Sequence, residues 1–136
     1  MTTRARLIKG VAAAAMAAAM VATDVPIPTQ QACAAEPTIF AEDVMPIFKG
    51  RCASCHQPGG DGFEKSGLDL TTYEGVMKGT KHGPMVIPRD PDSSNLVWLL
   101  DWRGDLQTRM PHGKKKLSTC DRNAIRAWIR EGAKNN

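Results

Sequence analysis

The stretch RCASCHQPGG, residues 51–60, sets Cys52 and Cys55 three positions apart, with His56 directly after the second. Four chemistries compete for that spacing: half of a zinc site, a redox dithiol, a structural disulfide, and the attachment point of a covalent haem. Structural zinc usually takes four ligands, commonly from two such pairs, and here Cys33, Cys120, His82 and His112 are isolated along the chain. A redox dithiol follows a strand and opens a helix, whereas these cysteines close a helical pattern in a chain with no period-two run. A disulfide between Cys52 and Cys55 explains neither His56 nor the export signal upstream. Covalent haem explains both: thioethers from Cys52 and Cys55 clamp the macrocycle, and His56 becomes the proximal ligand of its iron.

Upstream, MTTRARLIKG carries Arg4, Arg6 and Lys9 and leads into VAAAAMAAAMVA, residues 11–22. A charged start followed by a short apolar run is the pattern of a secretory signal. A membrane span needs ~20 apolar residues, so this run reads as a signal and only secondarily as an anchor. Small residues allow cleavage after Ala34, with earlier sites near Ala22 or Thr23, so residues 1–34 are assigned to the signal and 35–136 to one domain. The residues before Cys33 lack the Leu-led motif of lipid attachment, and Arg4 and Arg6 are not adjacent as a twin-arginine signal requires. Export of an unfolded chain to the periplasm is the expectation, and haem attachment outside the cytoplasm agrees with it.

The chain has 136 residues, a net charge of +4 and 42% hydrophobic content. One domain fits this length. Its basic residues are scattered apart from Lys114, Lys115 and Lys116, which excludes the dense basic tract of a nucleic-acid binder and leaves an acidic docking protein as the partner the charge suggests. A solvated lysine run is the plain alternative.

Helical signals dominate the mature part. Ile39, Phe40, Val44, Ile47 and Phe48 recur at spacings near three and four, which predicts a helix over 38–49, kinked or shortened by Pro46. QPGGDG reads as a loop. LTTYEGVMKG reads as a short helix with a Thr cap and a stop at Gly79. TKHGPMVIPRDPDSS, with its three prolines, reads as loop. DSSNLVWLLDWRG reads as a helix capped by Asp92 or Ser93 and stopped by Gly104, with Leu96, Leu99 and Leu100 on one side. LSTCDRNAIRAWIREGA opens at Ser118, places Asp121 three residues on, and carries Ile125, Trp128 and Ile129 on one face before Gly132. The fold class is all-α. A domain this small with few aromatics has a weak core of its own, which a large apolar cofactor would complete.

With these residues in hand, the chain resembles the monohaem c-type cytochromes. Phe48, four residues before Cys52, matches the aromatic that such cytochromes pack against their last helix. GLDLTTYEGVMKG, IPRDPDSSNLV, RMPHGKKKLS and IRAWIREGA resemble more narrowly the cytochrome c-like domains of planctomycete proteins, over about Ile39 to Ala133. Cys120 and the lysine run depart from that pattern. The resemblance implies a small cytochrome c-like fold, its N- and C-terminal helices crossing around one covalently bound haem c.

The sixth iron ligand decides between carrying electrons and binding small molecules. Candidates are Met110, Met85, Met77, His112 and His82. Met77 sits inside a helix, where a core role is commoner, and Met85 lies on a loop that could equally plug the crevice. The resemblance places the axial methionine at the Met110-Pro111 step. Arg109, beside it, is the first candidate to hold a haem propionate, ahead of Arg89, Arg103, Trp98 and Trp102. The free ring N–H of His56 is expected to donate to the carbonyl of Pro58 or of a residue in 67–70. The function expected is one-electron transfer by a periplasmic protein with His/Met ligation, as a soluble carrier or as the haem subunit of a respiratory or dehydrogenase complex, which could also bring it to a membrane. The rival reading is a haem peroxidase or a gas-binding sensor with an open sixth site, for which His112 or His82 would be the distal group. Cys120 reads as a helix-cap thiol, or as a partner of Cys33 or of another chain.

Overall fold

A computed structural model of the chain describes residues 37–136. The signal segment 1–34, its cleavage sites and Cys33 lie outside the described residues. Among those described there is no strand, only an isolated bridge between Thr80 and Gly83, so the all-α expectation holds there. No helix among them is long and apolar enough to cross a membrane.

The first helical segment is split where Pro46 predicts a disturbance. Phe40–Val44 is a π-helical turn, and α1 runs Met45–Arg51 with Pro46 in its first turn. Proline has no N–H to donate, so it is tolerated at the start of an α-helix and nowhere further in. The change of winding resets the face: Phe40, Val44 and Phe48 are buried, whereas Ile39 and Ile47 are only half-buried.

Helix α2, Asp61–Ser66, was not expected from the sequence, which reads QPGGDG as loop throughout. The loop ends at Gly60. Gly67, at φ 77°, closes α2 in the left-handed region that favours glycine, and its N–H bonds the Phe63 carbonyl. Helix α3, Tyr73–Lys78, begins at Thr72, whose hydroxyl accepts from the Gly75 N–H, and ends at Gly79, as expected.

Helix α4, Asn95–Leu100, differs at both ends from the expected caps. Ser94 occupies the cap position, with its fully buried hydroxyl accepting from the Ile87 N–H at 2.9 Å and donating to the Asp90 carbonyl at 2.7 Å. It therefore stitches the proline-rich loop to α4. The helix stops at Asp101, ahead of Gly104, because Trp102 takes a left-handed backbone at φ 61°.

Helix α5, Thr119–Arg130, is capped by Ser118 accepting from the Asp121 N–H, and buries Ala124, Ile125, Trp128 and Ile129. It packs on the first helical segment through aromatics. Phe40 lies 5.0 Å from the Trp128 ring, 5.2 Å from Tyr73 and 6.5 Å from Phe48, centroid to centroid. Phe40 thus makes a direct ring contact with α5, and Phe48 is fully buried in the same core cluster. A polar clasp closes the same junction: Thr38 donates its N–H and its hydroxyl to Glu131 at 2.8 and 3.1 Å, and Phe40 donates its N–H to the Asn136 side chain at 3.0 Å.

A second junction joins α4 to α5 electrostatically. The Asp101 carboxylate, 9% exposed, pairs with Arg122 at 2.9 Å, with Arg126, and with Arg103 at 3.4 Å. Three guanidiniums around one carboxylate satisfy its lone pairs as it leaves water, which a buried charge requires.

Trp128 is 1% exposed, and its Nε1 donates to the Lys134 carbonyl at 2.8 Å. Trp128→Ala should lower stability by about 3–5 kcal/mol, through lost contacts and the cavity it leaves. Urea unfolding of the purified protein measures this; a loss under ~1 kcal/mol would show that the aromatic junction does not hold the two helices together.

Candidate functional site

The CxxCH stretch leaves the end of α1 as a tight turn. Cys55 and His56 both donate their N–H to the Cys52 carbonyl, at 3.1 and 3.0 Å. The same turn is tied outward: the Phe63 N–H donates to the Cys55 carbonyl at 2.9 Å, and the Leu70 N–H to the His56 carbonyl at 2.9 Å. Two glycines allow this closeness. A Cβ at Gly60 would stand 2.5 Å from the Cys55 carbonyl oxygen, and one at Gly62 would stand 2.9 Å from Cε1 of His56. The imidazole is therefore held against bare backbone.

Beside this turn lies a cavity of about 410 Å³, lined by Cys52, Cys55 and His56, by Phe48, Leu68, Leu70, Leu96, Leu99 and Leu100, and by Met85, Met110, Pro111 and His112. That volume falls within the ~300–1,000 Å³ of ordinary ligand and cofactor sites. Its chemistry fits a haem: an apolar leucine wall, two thiols three apart, an imidazole, and thioether sulfurs from a different part of the chain. Cys52 and Cys55 are both free of disulfide bonding. Among the described residues, no group of three or more His, Cys, Asp or Glu side chains is arranged to hold a metal ion, so the pair gains no partners for a zinc site.

Electrostatics agree with this fit. Burial pushes the Cys52 thiol up to about 11, against the opposing pull of Arg51 and Lys114. Burial also lowers the His56 pKa below its ordinary value, opposed by the Leu68 backbone. A neutral imidazole is the form that ligates metal. The Nδ1 atom of His56 is buried without a well-aligned hydrogen bond, although the Leu68 backbone lies close enough to act on the ring. Leu68 falls within the range expected for the carbonyl acceptor.

The other residues singled out from sequence divide clearly. Met110, Met85 and His112 line the cavity; Met77 packs against the core, and His82 lines a neighbouring hollow with Trp98 and Met85. Arg109 is not at the cavity. Its Nε donates to the Gly104 carbonyl at 3.3 Å and its guanidinium lies 5.5 Å from the Trp102 ring centre. Adjacency to Met110 in sequence does not bring Arg109 to the same wall. The cations that do line the cavity are Arg51, Lys65 and Lys114. Lys65 lies on α2, the helix hidden by the loop-like composition around it, and only the Gly67 stop marked that helix in the sequence. Of the lysine run, Lys114 and Lys115 are exposed, while Lys116 donates to the Asp101 carbonyl at 2.6 Å. The proposed pairing of Cys120 with Cys33 falls on a residue outside those described.

Two outcomes test the site. Wild-type protein should keep its haem colour through extraction with acidified acetone, and a Cys52→Ser, Cys55→Ser double variant should release it; retention by the double variant would mean that the cysteines do not attach the group. Because the folded-state pKa of His56 is lowered, protonation favours the unfolded chain. The stability it contributes is complete above pH 6.5 and declines as pH falls toward the lowered value. In the haem-free double variant, where the His56 ring holds no iron, urea midpoints measured between pH 7 and 5 should fall, and a midpoint that rises on acidification would contradict a buried, neutral His56.

Comparison with known proteins bears on the same stretch. No curated protein and no solved structure matches the chain. Residues 52–112, from the first cysteine of the motif to the histidine after Pro111, match the family model described as Planctomycete cytochrome C. Similarity to that family suggests covalently bound haem c and haem-based electron transfer. The stretch that supplies most of the cavity lining is thus similar to the cytochrome c-like domains of the planctomycete type.

Proposed function

We propose that the chain is an exported, periplasmic one-electron carrier holding a single haem c with His56 and Met110 as axial ligands, acting as a soluble carrier or as the haem subunit of a respiratory or dehydrogenase complex. The observation that carries this reading is the convergence of Cys52, Cys55, His56 and Met110, from two segments more than fifty residues apart, on one leucine-lined cavity. Haem bound there supplies the one-electron iron couple. Cys52 and Cys55 fix its position, and the buried imidazole of His56 offers a neutral nitrogen. The leucine wall excludes water and so limits the solvent rearrangement that accompanies a change of charge. A thioether ligand opposite histidine raises the reduction potential relative to a second imidazole.

Met85 shares the cavity and is 8% exposed. Met110 is preferred because both of its backbone polar groups are hydrogen-bonded to fixed partners, the N–H to the Leu99 carbonyl and the carbonyl to Trp102. His112 favours a second reading, since it lines the same cavity and could serve as the distal group of a peroxidase or gas sensor.

The exposed cations beside the cavity support an acidic docking protein. Lys114 and Lys115 adjoin Arg51, whose guanidinium donates to the Lys115 carbonyl at 3.1 Å. Steered association of this kind weakens with salt.

Met110→Ala should abolish the weak far-red iron–sulfur absorption band and lower the reduction potential, and the wild-type ferrous protein should refuse carbon monoxide. A band that survives the substitution names another ligand, and rapid carbon monoxide binding by the wild type favours the peroxidase or sensor. Lys114→Glu with Lys115→Glu should flatten the ionic-strength dependence of reduction by an acidic partner; a wild-type rate that ignores salt would dismiss the docking surface.

A further inference from the structure

We infer that Trp102 is a positioning residue for Met110, and that its indole N–H sets how readily the Met110 thioether leaves the iron; this rests on the reading of Met110 as the sulfur ligand.

Three hydrogen bonds triangulate the point where the Met110 loop meets α4. The Trp102 N–H and the Met110 N–H both donate to the Leu99 carbonyl, each at 3.2 Å. Trp102 Nε1 donates to the Met110 carbonyl at 2.8 Å. Leu99 and Met110 both line the cavity, so the triangle fixes a wall residue and the ligand-bearing backbone against each other.

Trp102 is itself held in an unusual place. Its φ of 61° lies in the left-handed region, which is costly for a side chain with a Cβ and persists only when the surroundings impose it. Two cations flank its ring. The Arg109 guanidinium lies 5.5 Å and the Lys116 ammonium 5.7 Å from the ring centre, both within cation–π reach. Each is anchored in turn, Arg109 to the Gly104 carbonyl and Lys116 to the Asp101 carbonyl. The residues between, Asp105 to Thr108, are exposed and bonded chiefly to one another. Without the indole bond, only the Leu99 carbonyl holds the Met110 backbone to α4.

The consequence is a local equilibrium between a closed loop, with sulfur available to the iron, and an open one. A ligand that binds only the open form has its apparent affinity reduced by the open fraction. Imidazole added to the ferric protein is such a probe. Trp102→Phe removes the N–H and keeps a ring for the cations. Loss of one ordinary hydrogen bond should tighten imidazole binding roughly two- to tenfold.

The experiment titrates imidazole into the ferric, haem-loaded forms of the wild type, Trp102→Phe, Arg109→Gln, Met110→Ala and Ile129→Val. Ile129 is buried in α5, and Ile129→Val supplies global destabilisation without touching the loop. The expected result is tighter imidazole binding in Trp102→Phe, a smaller shift the same way in Arg109→Gln, and none in Ile129→Val. An unchanged affinity in Trp102→Phe, with Met110→Ala binding far more tightly and lacking the far-red band, would overturn the role of Trp102 and leave Met110 as the ligand. A Met110→Ala variant that keeps the band and the wild-type affinity would overturn the ligand reading itself. Equal tightening in Ile129→Val and Trp102→Phe would reduce Trp102 to general support. Should Trp102→Phe fail to hold haem, Arg109→Gln decides, and no shift there overturns the inference.

Discussion

Protein interiors pack to crystal-like density, and voids much larger than a water molecule are rare in them. Here the core is opened by a cleft of about 410 Å³ with Leu68, Leu70, Leu96, Leu99 and Leu100 on its wall and charged residues such as Arg51 and Lys114 also lining it. Side chains along such a wall have their dispersion contacts to make with whatever lies inside it. Every other feature of the domain bears on that constraint. Its helices are short, α5 excepted, and they are joined at two places away from the cavity: the Phe40, Tyr73 and Trp128 rings with the Thr38–Glu131 clasp, and the Asp101 carboxylate with its three arginines. The frame is fastened at its rim, and the centre is shaped for a large apolar group that the CxxCH turn can attach.

The motif supplies more than its three named side chains. Cys55 and His56 sit against Gly60 and Gly62, where any Cβ would collide with the Cys55 carbonyl or the imidazole, and their carbonyls accept from Phe63 and Leu70. The backbone contacts on both sides of the turn would therefore hold the cysteines for attachment and the imidazole for ligation. On the other segment, the Met110 loop has its own support in the Leu99 carbonyl and the Trp102 indole, so the two proposed iron ligands are presented by elements fixed independently of each other.

Much of this was legible in the sequence, and the losses have physical causes. Helices α3 and α5 are marked by local chemistry, a Thr or Ser hydroxyl at the cap and apolar residues at helical spacing, and local chemistry decides them. Pro46 announced a disturbance, but a π-turn ahead of α1 depends on how Phe40 and Val44 pack, which no local rule supplies. Helix α2 was hidden by the glycines that let the chain approach His56, since the same residues that serve the site also imitate a loop. The N-cap of α4 falls on Ser94 because its hydroxyl is used across the loop to Ile87 and Asp90, and the helix stops short of Gly104 at the left-handed Trp102. Arg109 neighbours Met110 in sequence, but its guanidinium lies over Trp102, a placement that depends on contacts no local rule supplies. The cavity arises only when segments far apart in sequence meet.

The central claim is that this cavity belongs to one haem joined to the chain through Cys52 and Cys55. Intact-mass analysis of the purified, exported protein under denaturing conditions tests it most directly, because a covalent adduct survives unfolding and a merely bound group does not. The account predicts a single species whose mass is that of the processed polypeptide plus one haem. A polypeptide mass alone, or an adduct of any other size, would contradict it.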